Sequence, residues 1–307
     1  MVNYNPHTDI PDLSGKVIFV TGGNTGLGLE TIRQLSKHGP AEIFLAARSQ
    51  QRAEGAIKQV LEAVPEAAKI TFIELDLGSL KSVKRAVEEF KSKSSQLHLL
   101  INNAGIMACP AGVTTEGYEV QFGTNHMGHA LLTKLLLPTL QATAHTGQDV
   151  RIVNLSSGGE RWAPSKLWNF EALKTDMPSE STFARYGISK VANIHHARAL
   201  SRRYPEIRCI AVHPGRVSGT NLNRGVAASF PLLSPFLRFT RMLGARNANN
   251  VAVGALNQLW ASVSPDAVSG EFYHPVGVAG KGSSQSQSRE LEDQLWEWTE
   301  NELKGYE

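Results

Sequence analysis

Short runs of β-branched and aliphatic residues alternate along the chain with longer stretches whose apolar positions recur every three or four residues. Lys16–Thr21, Glu42–Ala47, Lys69–Leu75, Leu97–Asn102 and Arg151–Leu155 read as buried strands, each bounded by Gly, Asp, Asn or Ser. Between them, Leu27–His38, Gln50–Val64, Leu80–Lys91 and Tyr118–Thr143 have the spacing of amphipathic helices. A helix near Thr182–Tyr204, a strand at Arg208–Val212, a helix near Asn249–Ala261 and a short strand at Glu271–Tyr273 continue the alternation. Repeated βαβ units predict a single α/β domain of Rossmann type: a doubly wound, mostly parallel sheet of about seven strands with helices on both faces.

Four regions fall outside this rhythm. Residues 1–15 form an N-terminal extension to a catalytic domain spanning 16–280, and 281–307 form a C-terminal tail and helix. Within the domain, 158–180 carries Trp162, Trp168 and Phe170, and 216–244 carries the apolar run Phe230–Leu237; both read as loops covering a substrate site. Gly280–Ser288 is rich in Ser and Gln and is expected to be mobile, whereas Leu291, Leu295, Trp298 and Leu303 space out as an amphipathic helix.

Composition narrows the function. The 307 residues are 41% hydrophobic, enough for a large core, and the net charge of +3 is spread without a basic block, which gives no footprint for nucleic acid. The two cysteines, Cys109 and Cys209, have neither disulfide-framework nor zinc-ligand spacing, so a reducing compartment is expected. Without a leader-like start or a membrane-length apolar run, the chain reads as soluble and cytoplasmic. Asn154-Leu155-Ser156 resembles a glycosylation sequon but lies in an apolar run that reads as a buried strand. His126, His129, His195, His196 and His213 follow helix positions rather than a metal-ligand pattern, so no metal is expected.

Candidate chemistry begins at Thr21–Gly28. This glycine-rich segment joins the first strand to the first helix, where Gly22, Asn24, Gly26, Leu27 and Gly28 would bring backbone N–H groups and a helix N-terminus to a diphosphate. After the second strand, where an NAD-binding chain would place Asp or Glu, stand Ala47-Arg48-Ser49, with Arg52 one turn on. A guanidinium suits a ribose 2′-phosphate, so the cofactor is read as NADP(H), the alternative being a solvated surface arginine. Tyr186 and Lys190 lie four residues apart on a helix, hence on one face. A nearby ammonium stabilises phenolate and is expected to lower the tyrosine pKa, letting the phenol exchange a proton with a substrate oxygen.

Thr21–Gly28, Asn102-Asn103-Ala104-Gly105, Asn125, Asn154–Ser157, Tyr186-x-x-x-Lys190 and Pro214-Gly215 occur together in the order found in short-chain dehydrogenases/reductases, which the chain resembles over roughly residues 15–303. Asn24–Gly28, Ala47-Arg48, Asn125–His129 and Pro265–Phe272 are similar to the group holding retinol dehydrogenases and many fungal reductases. The resemblance implies that Asp76 and Leu77 border adenine, that Asn103, Ala104 and Gly105 form the cofactor floor, and that Lys190 also bonds the nicotinamide ribose. For Asp76 the rival role is capping the next turn, and for Asn103-Ala104-Gly105 it is shaping a bend. Ser157 is the implied hydroxyl donor to the reacting carbonyl, with Ser156 the alternative. Asn125 would hold a water leading from Lys190 to solvent, or else bond neighbouring backbone. Pro214, Gly215 and Val217 would meet the nicotinamide carboxamide. The family usually has Thr or Ser five positions past that proline; this chain has Gly219 there, leaving Thr220 as the expected contact and Ser218 as its rival.

The function implied is interconversion of a carbonyl and a primary or secondary alcohol on a lipophilic or aromatic small molecule, run as a reductase. A cofactor-binding scaffold or a non-redox isomerase on the same fold is the alternative. The segment 230–241 offers either a lid or a peripheral membrane contact, and the helices near 118–143 and 182–204 offer faces for a homodimer.

Overall fold

The computed structural model describes residues 2–217, 229 and 250–306. Its parallel strands are β1 (Val17–Thr21), β2 (Glu42–Ala47), β3 (Lys69–Glu74), β4 (Leu99–Asn102), β5 (Arg151–Leu155), β6 (Arg208–Val212) and β7 (Phe272–Tyr273). They form one sheet in the order β3-β2-β1-β4-β5-β6-β7. The chain winds outward from β1 to β3, then returns past β1 to β4, so the order reverses between β1 and β4. In sheets of this topology, ligands bind beside such a reversal, outside the C-terminal strand ends.

The connecting helices are α1 (Gly26–Leu35), α2 (Gln50–Ala63), α3 (Leu80–Lys93), α4 (Gly128–Ala144), α5 (Thr182–Arg203) and α6 (Val251–Val263), with α7 (Arg289–Leu303) beyond the sheet. Several begin where a serine side chain accepts a hydrogen bond from a first-turn N–H: Ser49, Ser79, Ser181 and Ser288 cap α2, α3, α5 and α7. Alternation along each strand divides the core. Ile18, Val20, Ile43 and Leu45 pack with Ile32, Val60 and Leu259 of α1, α2 and α6. Phe19, Phe44 and Ile152 point the other way, toward Phe90, Leu132 and Val191 of α3, α4 and α5. Both faces are therefore covered, which is why the strands read as continuous apolar runs.

The structure departs from the expected elements in two places. Tyr118–Thr143 is not one uniform helix: Val120–Phe122 passes into a π-helical turn, Gly123–Met127, before α4 starts. Where that turn meets α4 the helix comes close to the segment after β3, since a Cβ on Gly128 would lie 2.4 Å from the Leu77 carbonyl oxygen. The Ser/Gln-rich segment, expected to be mobile, is instead tied down, with a helical turn at Ser284–Gln287. The Gln285 amide donates to the Pro164 and Ser165 carbonyls at 2.8 and 2.9 Å, and the Gln285 carbonyl meets His195 Nε2 at 2.9 Å. Composition favours solvation here, but short polar side chains can equally bond local carbonyls.

α7 then adds Leu295 and Leu303 to the α3–α5 side of the core. Trp168 donates its indole N–H to the Leu291 carbonyl at 2.7 Å, and Phe170 stacks on Trp298 with centroids 5.0 Å apart. Two of the three aromatic side chains assigned to a substrate loop thus anchor α7. The Glu292 and Glu300 carboxylates pair with Arg202 and Lys134, so α7 also lies across parts of α4 and α5, where a homodimer face was expected. No helix of the described residues is long and apolar enough to cross a membrane. The segment 230–241 lies outside the described residues.

Candidate active site

At the end of β1 the chain turns through Gly22 and Gly26, whose φ values of 66° and 55° favour glycine. α1 follows directly, and a Cβ on Gly28 would sit 2.4 Å from the Gly22 carbonyl oxygen and 2.6 Å from Asn103 Nδ2. Only glycine lets this turn close beneath the helix start. Asn103 donates to the Thr21 carbonyl at 2.7 Å, and Ala104 N–H donates to the Thr21 hydroxyl at 2.9 Å. The Asn103-Ala104-Gly105 bend therefore fixes the floor of the glycine-rich turn. Asn24 and Leu27 are half-buried beside it. The glycines and the helix N-terminus form a cradle suited to a dinucleotide diphosphate.

Arg48 stands exposed at the C-terminal end of β2, one residue before the cap of α2. Asp76 uses Oδ1 to accept the Gly78 N–H at 3.0 Å, so one of its oxygens takes the turn-capping role. Leu77 is buried under the π-helical turn. On the far side, Gly215 has a φ of 82°, and Val217 lies against Gly254, where a Cβ would come within 2.5 Å of Val217 Cγ2. Pro214 precedes that turn, half-buried. Thr220 and its rival Ser218 lie outside the described residues.

The residues expected to carry the chemistry come from the end of β5 and from α5. Ser156 and Ser157 follow the last residue of β5 but part company there. Ser156 is buried and donates to the Lys190 carbonyl at 2.7 Å, which commits it to holding strand against helix. Ser157 stays half-exposed, accepts the Gly159 N–H at 3.0 Å and hydrogen-bonds Tyr186. Lys190 Nζ donates to the Leu155 carbonyl at 3.1 Å and lies 5.5 Å from the Tyr186 ring centroid. A Cβ on Gly105 would be 3.5 Å from Lys190 Nζ, so the bend after β4 and the lysine adjoin.

One expectation changes here. Burial pushes the Tyr186 phenol up to about 12, with the Ser157 hydrogen bond opposing the shift, rather than down as a lysine neighbour alone would do. Burial also brings Lys190 down to about 8, so one cause disfavours both charges. The Asn125 amide is engaged on both sides: Oδ1 accepts the Ile106 N–H at 2.8 Å, and Nδ2 donates to the Ile106 carbonyl and to Ser189 Oγ at 2.9 and 3.0 Å. It pins the segment after Gly105 to α5.

The sequence model described as short chain dehydrogenase matches residues 16–229. The chain belongs to the short-chain dehydrogenase/reductase family. It is 40% identical to the short-chain dehydrogenase/reductase drtF of Aspergillus calidoustus over 96% of each chain. A short-chain dehydrogenase/reductase of Armillaria gallica is 41% identical over 97% of this chain and 93% of its own. Among solved structures, an uncharacterized protein from Mycobacterium paratuberculosis superposes with a TM-score of 0.73 at 29% identity, covering 98% of this chain and 97% of that one.

Within this short-chain dehydrogenase/reductase, sequence reasoning missed a buried polar chain behind the site. His129 Nδ1 faces the Asn125 carbonyl at 2.9 Å and Nε2 faces the Thr21 hydroxyl at 2.9 Å. A carbonyl can only accept, so Nδ1 carries the hydrogen and Nε2 accepts from Thr21. Burial holds His129 down to about 4, keeping it neutral in that bridge. Gln258 of α6 reaches Thr31 and the Leu27 carbonyl, and Asn257 donates to the His213 and Tyr273 carbonyls, both at 2.8 Å. Their one signal was polar residues within an apolar helix pattern.

Proposed function

We propose that the protein is an NADP(H)-dependent reductase of carbonyl groups on lipophilic or aromatic small molecules. The observation that carries this reading is geometric: the Tyr186 phenol is buried next to Ser157, with Lys190 Nζ 5.5 Å from its ring centroid. A phenol so placed can donate a proton, as reduction requires. The cradle at Gly22, Gly26 and Gly28 and the small Gly105 beside Lys190 fit a dinucleotide, and Arg48 favours a 2′-phosphate over a bare ribose diol. When bound, the nicotinamide cofactor supplies the hydride.

Ser157 polarises the substrate carbonyl, and Tyr186 gives its proton to the carbonyl oxygen as the carbon gains hydride. The phenolate left behind is stabilised by Lys190, which Ser156 and Leu155 hold in place. Asn125 keeps the Gly105–Ile106 segment against α5, so floor and acid move as one body. We take the enzyme to work in a reducing, cytoplasmic compartment, consistent with two free cysteines. The scaffold alternative has no use for an aligned Ser157, Tyr186 and Lys190.

The test is a panel of aryl and alkyl ketones and aldehydes assayed with NADPH and with NADH. The expected result is NADPH oxidation that Tyr186→Phe abolishes while cofactor affinity stays near wild type. Unchanged turnover in that variant would sink the mechanism, and preference for NADH would sink the role of Arg48.

A further inference from the structure

The helical turn Gly158–Trp162 follows Ser157 directly and is framed on both sides. The buried Glu160 carboxylate accepts from Ser283 N–H at 3.1 Å and from the Ser283 hydroxyl. Arg161 donates to the Lys281 carbonyl, and Gln285 binds the carbonyls of Pro164 and Ser165. Residues before and after Trp162 are thus tied to one segment, 281–285. Trp162 itself is 49% exposed, the one aromatic side chain among the large hydrophobic residues exposed in the described residues. The turn that presents the indole is thus anchored on both sides of Trp162.

The indole is not aimed at random. Its ring lies 6.1 Å from that of Tyr186 and 5.4 Å, edge-on, from that of Phe183, one helical turn earlier on α5. A Cβ on Gly159 would come within 2.9 Å of both the Trp162 and Tyr186 rings, so the two aromatic systems converge on one backbone position. Gly187 allows the approach from the other side, where a Cβ would meet Ala163 N at 2.4 Å. A rigid π face beside a proton-donating phenol is a place for a flat substrate.

We propose that Trp162, backed by Phe183, is a specificity-determining platform on which the planar, conjugated part of an aryl carbonyl substrate stacks while its oxygen meets Ser157 and Tyr186. The proposal rests on the reading of those two residues as the reacting end. An arene has a π face to offer the indole, and a saturated ring of the same size does not, so discrimination between the two is the signature.

The experiment measures binding of 2-acetylnaphthalene and its fully saturated analogue 2-acetyldecalin by calorimetry, in wild type, Trp162→Ala and Trp162→Phe, each saturated with the oxidised cofactor NADP+, which has no hydride to give the ketone. The expected result is a loss of about threefold to tenfold in affinity for the arene on Trp162→Ala. The saturated ketone should change by less than that, and Trp162→Phe should recover most of the arene binding. Equal losses for both ketones would show that the turn had merely been loosened, and no loss would mean that the indole faces solvent or another protein; either overturns the platform. Because binding is read without turnover, a protein that holds the arene through Trp162 yet reduces neither ketone would refute the reductase reading and leave the platform standing.

Discussion

Replacing Gly187 by alanine tests whether the close approach of the Gly158–Trp162 turn to α5 holds the reacting groups in register. By helix propensity alone the change should stabilise α5, since glycine in a helix interior costs about 1 kcal/mol relative to alanine. The new methyl would lie 2.4 Å from Ala163 N and 2.8 Å from the Trp162 carbonyl carbon. Both are backbone atoms, so no flexible side chain can yield. The turn must retreat by about 1 Å to restore ordinary contact, and overpacking of this kind costs about 1–3 kcal/mol or more. The net expectation is a destabilisation of up to about 2 kcal/mol, read as a lower urea midpoint at unchanged slope. Retreat also carries the turn away from Ser157 and Tyr186, and a misplacement of about 1 Å costs on the order of 100-fold in kcat/KM. Gly55 is the control: it lies exposed in α2 with nothing within 4 Å of an added Cβ, so Gly55→Ala should raise stability by about 0.5–1 kcal/mol and leave turnover alone. A Gly187→Ala protein as stable and as active as wild type would refute the reasoning.

The two serines after β5 should separate cleanly: Ser157→Ala lowers kcat/KM by about 100-fold or more, while Ser156→Ala removes the bond to the Lys190 carbonyl and costs about 1 kcal/mol of stability. Steady-state kinetics beside urea unfolding decides it, and equal kinetic losses would count against the assignment. Acid should destabilise the fold through buried neutral imidazoles, because burial brings His98, His129, His195 and His213 down to about 4 and His196 to about 3. Between the unfolded value of 6.5 and those folded values the unfolded chain binds more protons, so stability is lost as pH falls through that window. Glu119, raised by burial to about 7, acts in the opposite sense: its folded form keeps a proton that the unfolded chain releases above about 4.5. Urea midpoints from pH 7.5 to 4.5 should therefore fall with uptake of several protons, and a flat profile would contradict it.

Period and punctuation made the sheet legible, since strands buried on both faces announce themselves as apolar runs and serine caps mark the helix starts. The glycine-rich turn and the Tyr186/Lys190 pair were legible for the same reason: their partners are near in sequence. What escaped depends on contacts between distant segments. His129 acquires its role from Thr21, 108 residues away, and Gln258 from Thr31, 227 residues away. The Tyr186 shift escaped because spacing reveals the lysine but not the apolar burial that outweighs it. Trp162 and Trp168 looked alike as loop aromatics, and only the packing of α7 assigns one to the core and leaves the other at the site.

The anchoring of Glu160 by Ser283 bears on how this enzyme could be re-engineered. A turn that carries selectivity invites transplantation between relatives as a self-contained cassette. Here residues 158–165 are not one, because their shape is written partly in 281–285. Grafting a foreign turn alone would strand the hydrogen-bond donors of that distant segment, and moving this turn elsewhere would bury the Glu160 carboxylate without its partner. The portable unit is the pair of segments, more than a hundred residues apart in the gene product.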